Sequence, residues 1–520
     1  MRIIITCFIF STLSLSAQDY YGGENGKKLD WFVYYLSDKY VDSLDYNHLT
    51  DLAIKRVVQE LDPYSSYQTK AEADDQLRKD HGLAPKGSGF NFYLLNGVKP
   101  IITYIAPQGP AEKQGLRNGN QLVAINNVPL LNKSANEIYA LINNETQDEI
   151  DISYLDNYQQ KKLVTLVKEN IPYLSVESHY MLTKEIGYIK ISRFTINTMK
   201  EFVPKIEALL QLGMKDLVLD FRGNNGGVKN QAIELADEFL SAAQLINYSE
   251  GQNMPKEEFL ATEKGHFEKG KIVALADNVS ASATEIFLGA LQDWDRCLIL
   301  GTPTYGKGLI QQSFKLGDGS TIRLTIGRFY SPLGRHLQKP LQDNWFSTQS
   351  DHIPSDGVLS KMKIDAQYKL KTKGSREIVI GQGGIYPDIY FVAPKENKLS
   401  FDRYNDKGHI YGFVVYQLDL NRDAYASRFS NSTAFRNDPT INRELASAFR
   451  KYIAFNGFKE GEDPSFGTPK SVIDKAKAWI AGQLWDENAY FELTNNYDTT
   501  LDKAIELIEN NTFQELKIKY

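Results

Sequence analysis

Between Ile171 and Lys395 the chain repeats one pattern: a short apolar run, then a longer stretch with apolar residues at helical spacing. "IGYIKIS" precedes "TMKEFVPKIEALLQLG", "KDLVLDFR" precedes "NQAIELADEFL", and "KIVALAD" precedes "SASATEIFLGALQDW", with "CLILG" following. Repeated βα units leave few folding options. Parallel strands need a crossover, the crossover is right-handed, and its helices cover the sheet. The pattern predicts an α/β unit over residues 170–395, built on a largely parallel sheet.

At 520 residues the chain exceeds one ordinary core, and further units flank this one. Residues 28–84 read as helical, with two short helices joined near "DSLDYNH", a break at "DPYSSY" and the charged stretch "KAEADDQLRKDHG". Residues 85–168 change to short strands such as "GSGFNFYLL", "KPIITYIA" and "EIDISYLD". One short and one longer helical segment lie among them, predicting a small, partly open barrel. Residues 396–520 are mostly helical, although "YNDKGHIYGFVVYQLD" at their start reads as an extended segment. The apolar faces of these helices suit packing on the α/β unit, oligomerisation or docking of an adaptor.

The N-terminus is of another kind. "MRIIITCFIFSTLSLSA" has one Arg, an apolar run and small residues ending at Ala17, the layout of a secretory signal over residues 1–17. Its run is shorter than the roughly 20 residues of a spanning helix. An exported chain cut after Ala17 would keep Cys297 and lose Cys7, so no intramolecular disulfide is expected. The net charge of −6 is spread in mixed-sign patches, which argues against a nucleic-acid partner. The seven histidines are scattered without zinc-ligand spacing, and neither a metal nor an organic cofactor is expected.

Two serines stand where the strand "KIVALAD" meets the next helix. Ala283, Ile286, Phe287, Ala290, Leu291 and Trp294 form that helix's buried face. Ser280 or Asn278 is expected to cap it, leaving Ser282 in the first turn, where unpaired N–H groups could hold an oxyanion. A serine in this place is by itself an ordinary cap. "GTPTYGKGLIQQSF" changes the reading: Lys307, between two glycines, is suited to desolvation, and a neutral lysine can take a serine's proton. A triad through His266, the nearest upstream histidine, has no motif behind it.

Together, "SASATEIFLGALQD" and "GTPTYGKGLIQ" resemble the signature of the C-terminal processing peptidases, the tail-specific proteases. The resemblance implies a Ser–Lys dyad on an α/β core of the ClpP/crotonase-like kind. Its nucleophile falls on Ser282, its base on Lys307 twenty-five residues later, and its lysine-orienting glutamine on Gln311. Asp293 falls on a weaker, supporting position. "LDFRGNNGG" resembles the family's oxyanion loop, which implies the amide of Gly226 or Gly227 and that of Ala283 as donors. "LDPYSSY", "TIRLTIGRFYSPLGRHLQ" and "GGIYPDI" resemble further family blocks in the same order. Thr284 replaces the usual third serine, and Asn225 stands where proline is common.

The strand-rich unit resembles a PDZ domain through "GPAEKQGLRNGNQLVAINNVPL", with Asn120 where the family has Asp. The resemblance implies a carboxylate-binding loop at Gly87, Ser88, Gly89 and Phe90 and an apolar pocket for a substrate's last side chain. The whole implies an exported serine endopeptidase, periplasmic or at the cell envelope, acting on proteins or peptides with apolar C-terminal tails. Its rivals are a catalytically silent binding or scaffold protein of the same fold, and a hydrolase of small esters or amides.

Overall fold

The computed structural model describes residues 24–144, 146–262, 265–340, 356–362, 364–381, 383–394, 408–455 and 470–520. The signal-like residues 1–17 and the boundary at 395/396 lie outside them. Among the described residues no helix is long and apolar enough to cross a membrane.

The α/β unit is centred on a seven-stranded sheet. Five neighbouring strands, Ile186–Ile191, Asp216–Asp220, Ile272–Ala276, Leu298–Gly301 and Ile389–Phe391, run parallel. Val176–Met181 and Asp356–Val358 add an antiparallel strand at either edge. In register, Ile186 faces Asp216, Leu217 faces Ile272, Val273 faces Leu298, and Leu300 faces Ile389. The strands are apolar on both sides because both faces are covered.

One face packs Leu217, Leu219, Ile272 and Ala274 against the helices Thr198–Gln211, Lys229–Asp237 and Ala283–Asp293. The other packs Val218, Val273, Leu275 and Leu300 against Leu501, Ala504, Leu507 and Ile508 of the helix Thr499–Glu509. The end of the helical C-terminal region is therefore the second outer layer of the α/β sandwich. A second, five-stranded sheet lies beside it: Ser66–Gln68, Leu309–Lys315, Thr321–Tyr330, Leu245–Gly251 and Met254–Leu260. Its strand Ser66–Gln68 comes from the N-terminal segment, which otherwise forms the helices Glu24–Lys39, Tyr46–Gln59 and Lys70–Asp80.

The strand-rich unit is an antiparallel sheet of Phe90–Leu95, Lys99–Ile105, Gln121–Ile125, Glu149–Leu155 and Lys161–Val167, with the short strand Val128–Pro129 paired to its centre. Its longer helix, Ala135–Ile142, starts at a reciprocal cap between Ser134 and Glu137. The remaining C-terminal helices have their own core around Phe413, Phe435, Phe449 and Ile480.

The run read as extended from "YNDKGHIYGFVVYQLD" is helical from His409 to Arg428. Its β-branched and aromatic residues mimic a strand, but Tyr411 and Val415 pack on Tyr93, Leu95 and Ile101, and tertiary packing overrides propensity. Lys99 and Asp419 form an ion pair at 2.6 Å across this contact. Asn488 Oδ1 accepts from His179 N–H at 2.9 Å, joining the same helical region to the edge of the main sheet.

Leu507 is buried on the sheet. Leu507→Ala is expected to lower unfolding free energy by about 2–5 kcal/mol in a urea titration. Removal of residues 499–520 should yield insoluble protein, because it exposes an entire apolar sheet face.

Candidate active site

Ser282 lies between the strand Ile272–Ala276 and the helix Ala283–Asp293, at φ 56° and ψ −116°. A non-glycine residue held there is strained by roughly 1–3 kcal/mol. The sequence placed the cap at Ser280 or Asn278 and Ser282 inside the first turn; instead Ser282 itself occupies the cap position. Ser280 is already spent, its hydroxyl donating to Phe221 O at 2.9 Å and accepting from Asp277 N–H at 3.0 Å. The N–H of Glu285 donates to the Ser282 carbonyl at 2.8 Å.

The side chain that fixes this turn is Glu285, which sequence reasoning passed over. Fully buried, its Oε2 accepts from Ser282 N–H and Lys307 N–H, each at 2.8 Å. Its Oε1 accepts from Gly306 N–H at 2.7 Å and the Thr304 hydroxyl at 2.5 Å. One carboxylate thus clamps the serine turn to the lysine loop. Burial pushes its pKa up, and the four hydrogen bonds pull it back. The available signal was a Ser-x-x-Glu spacing at a helix start.

Lys307 sits on a loop pressed against Gln338. A Cβ on Gly308 would lie 2.4 Å from Gln338 N, which leaves room for glycine alone. The lysine ammonium stands 5.0 Å from the centre of the Tyr64 ring. Tyr64 is brought there by the "LDPYSSY" turn, where Asp62 accepts from Tyr64 N–H and Ser65 N–H at 2.8 Å each. Burial, then repulsion from Arg323, lowers the Lys307 pKa below the ordinary lysine value, while Glu285 and Asp62 act the other way. Gln311, on the strand after the loop, donates to the Thr325 hydroxyl at 3.4 Å.

The loop "RGNNGG" closes over the serine turn. The Asn224 carbonyl accepts from Ala281 N–H at 3.0 Å and the Thr284 hydroxyl at 3.2 Å, so threonine supplies a hydroxyl where the family has serine. Gly226 N–H donates to Asn224 Oδ1 at 2.9 Å, which removes Gly226 as an oxyanion donor. The N–H groups of Gly227 and Ala283 donate to no described residue. Gly227 has φ 137°, and a Cβ there would fall 2.0 Å from Phe194 O. Beneath the loop, buried Asp220 accepts from the Tyr188 hydroxyl and binds Arg222, whose guanidinium also meets Asp498 at 2.7 Å.

Ser282, Ala283, Gly227, Lys307 and Gln311 all line one cleft of about 490 Å³, floored by Ile286 and Phe329. No hydrogen bond joins Ser282 to Lys307, or Lys307 to Gln311.

Residues 185–344 match peptidase family S41, and residues 101–153 match the PDZ domain family. The carboxy-terminal processing protease CtpA of Bacillus subtilis (strain 168) is 29% identical over 338 residues, 64% of this chain and 72% of that protein. Residues 185–344 thus read as an S41 peptidase domain. CtpB of the same organism is also 29% identical, over 58% of this chain and 64% of its own length, which is under two thirds. A solved structure of the photosystem II D1 C-terminal processing protease is 24% identical over 61% of this chain and 85% of that one, with a TM-score of 0.36.

Other residues singled out in the sequence lie apart from the cleft. Asp293, at the far end of the Ser282 helix, is buried against Arg335 at 2.5 Å and accepts from Leu333 N–H at 2.9 Å. That is a structural place. His266 pairs with Glu238 at 2.6 Å and does not line the cleft. Cys297 is buried and free.

In the PDZ unit, Gly87 ends one strand and Phe90 begins the next, with Ser88 and Gly89 between them. The Ser88 carbonyl accepts from Ala111 N–H at 3.2 Å, and the Gly89 carbonyl from Ala106 N–H at 2.8 Å. The N–H groups of Ser88 and Gly89 donate to no described residue. Phe90–Leu95 pairs with a strand along one edge only, and Phe92 meets Tyr139 of the helix Ala135–Ile142 at 4.6 Å between ring centres.

Glu285→Gln puts an NH₂ against backbone donors. It is expected to cost about 10²-fold or more in kcat while the protein stays folded by circular dichroism, the scale of losing one preorganised electrostatic contact. Peptidase activity should rise with pH as Lys307 loses its proton, with a midpoint below the ordinary lysine value of 10.5. Arg323→Gln removes a repulsion from the ammonium, so the pH–rate curve should move to higher pH.

Proposed function

We propose that this chain is an exported serine endopeptidase that recognises the C-terminal tail of protein substrates and cuts them through Ser282 and Lys307. The observation that carries the reading is the Glu285 clamp, which holds the serine turn and the lysine loop on one cleft. A free side chain with four rotatable bonds lets Lys307 swing from Tyr64 to the Ser282 hydroxyl. As a neutral amine, Lys307 takes the hydroxyl proton while Oγ attacks the peptide carbonyl carbon. Gly227 N–H and Ala283 N–H face the oxygen on which charge develops. The tetrahedral intermediate collapses as Lys307 passes its proton to the leaving nitrogen, the C–N bond breaks and an ester to Ser282 remains. Water, deprotonated by Lys307, hydrolyses that ester and restores the serine. Gln311, bonded to Thr325 here, is the residue on the same cleft that would orient the lysine once it turns toward the serine. No step calls for a metal or organic cofactor.

Tail selection is the part given to the PDZ unit. The Ser88 and Gly89 N–H groups suit a terminal carboxylate, and the open edge of Phe90–Leu95 suits an added peptide strand. Export rests on the layout of residues 1–17, and places the enzyme in the periplasm where the cell has two membranes, otherwise at the outer surface.

The test is cleavage of an unstructured protein ending in small apolar residues, supplied with a free or an amidated C-terminus. Wild type should cut the free-acid form faster, and Ser282→Ala or Lys307→Ala should lose about 10⁴-fold or more in rate. Binding of the tail without cleavage would return the scaffold reading, and equal rates on both forms would remove the carboxylate loop from recognition.

A further inference from the structure

The cleft around Ser282 is ringed by cations beyond the catalytic lysine. Arg193, Lys229 and Arg323 line it, and among the described residues none of the three is ion-paired to a carboxylate. Arg193 donates to the Tyr173 hydroxyl at 2.7 Å and stands 5.1 Å from the centre of that ring. Lys229 lies 4.3 Å from the centre of Phe259. Such contacts hold a cation in place without neutralising it. Lys79 also lines the cleft, but it is paired with Asp75 at 2.7 Å. The one carboxylate in the lining, Asp80, accepts from Gln76 at 2.9 Å. Glu257 acts on Lys229 from outside the lining, yet a chain with net charge −6 has set five lysines and arginines against one carboxylate where substrate must lie. Between the cations the floor is apolar, with Ile286, Phe329 and Phe194 buried.

We propose that the cleft selects polypeptide segments that place an apolar side chain at the scissile bond and an aspartate or glutamate one or two residues from it. This rests on the peptidase reading and adds the chemistry of the cut segment, which is separate from that of the tail. The apolar residue fills the floor. The acidic residue meets Arg193, Lys229 or Arg323 across a half-buried, poorly screened gap, where a charge-assisted hydrogen bond is stronger than one at an open surface.

The experiment uses the full chain and three peptides acetylated and amidated at their ends, so that the PDZ loop has no carboxylate to bind. They share one apolar scissile residue and differ only in its neighbours: Asp, Asn or Lys. The expected order of kcat/KM is Asp, then Asn, then Lys, with Asp about 10-fold above Asn, the scale of one hydrogen bond to a charged group. That ratio should shrink at high salt and in Arg193→Gln, Lys229→Gln or Arg323→Gln.

Equal kcat/KM for the Asp and Asn peptides overturns acid selection and leaves the peptidase standing. If wild type cuts none of the three, the peptidase reading is what fails. Fluorescence anisotropy of the same peptides with Ser282→Ala then decides the cleft by itself. Tighter binding of the Asp peptide supports the proposal, and equal binding overturns it.

Discussion

A single buried carboxylate holds this active site together. Glu285 has been taken fully out of water, which without compensation would cost several kcal/mol. Four donors, three backbone N–H groups and one hydroxyl, offset that cost, and they come from two segments far apart in sequence. The strained φ of Ser282 persists because its own N–H is one of those donors. The position of Lys307 depends on the same oxygen atom. The serine turn and the lysine loop are therefore held in one frame.

The frame rests on a sheet whose two faces are closed by distant stretches of the chain. The serine helix belongs to one layer, while Leu501, Ala504 and Leu507, almost at the C-terminus, form the other. Asp498 sits just before that last helix and reaches Arg222, at the root of the loop that carries Gly227. The C-terminal helical region is thus tied to the Gly227 loop on one side. On the other, Tyr411 and Val415 touch the back of the PDZ strand Phe90–Leu95. Alternate residues of that strand serve two partners: Phe90 and Phe92 face the PDZ core, and Tyr93 and Leu95 the C-terminal helices. This open-edged strand is therefore packed against a body that also contacts the α/β unit.

The βα alternation was legible because a doubly covered parallel sheet demands uninterrupted apolar strands, and "KIVALAD" and "CLILG" have no other ready explanation. The positions singled out at Ser282, Lys307 and Gln311 share a cleft, and they were reached through motif resemblance and loop glycines. Glu285 was hidden because it stands within the helix's apolar run and looks like an ordinary first-turn acid. Competition for hydrogen bonds was equally invisible. Ser280 could not cap because Phe221 O accepts its hydroxyl, and Gly226 could not serve an oxyanion because Asn224 Oδ1 accepts its N–H. The segment from His409 misled because β-branched and aromatic residues also suit a helix packed on a sheet. The amphipathic helix near Leu507 was recognised, but its partner surface lies more than 200 residues away, and local pattern carries no such information.

The charge of the cleft and the task of its lysine constrain each other. The proton-accepting role proposed for Lys307 needs it neutral, and Arg323 is the cation whose repulsion, after burial, lowers its pKa. A substrate carboxylate placed against Arg323 would cancel that repulsion and return the lysine toward its protonated form. Placed against Arg193 or Lys229, it can be recognised while Arg323 keeps acting on the base. These two residues lie on the side of the oxyanion loop, where Phe194 N–H bonds to Gly226 O and Val228 N–H to Phe194 O.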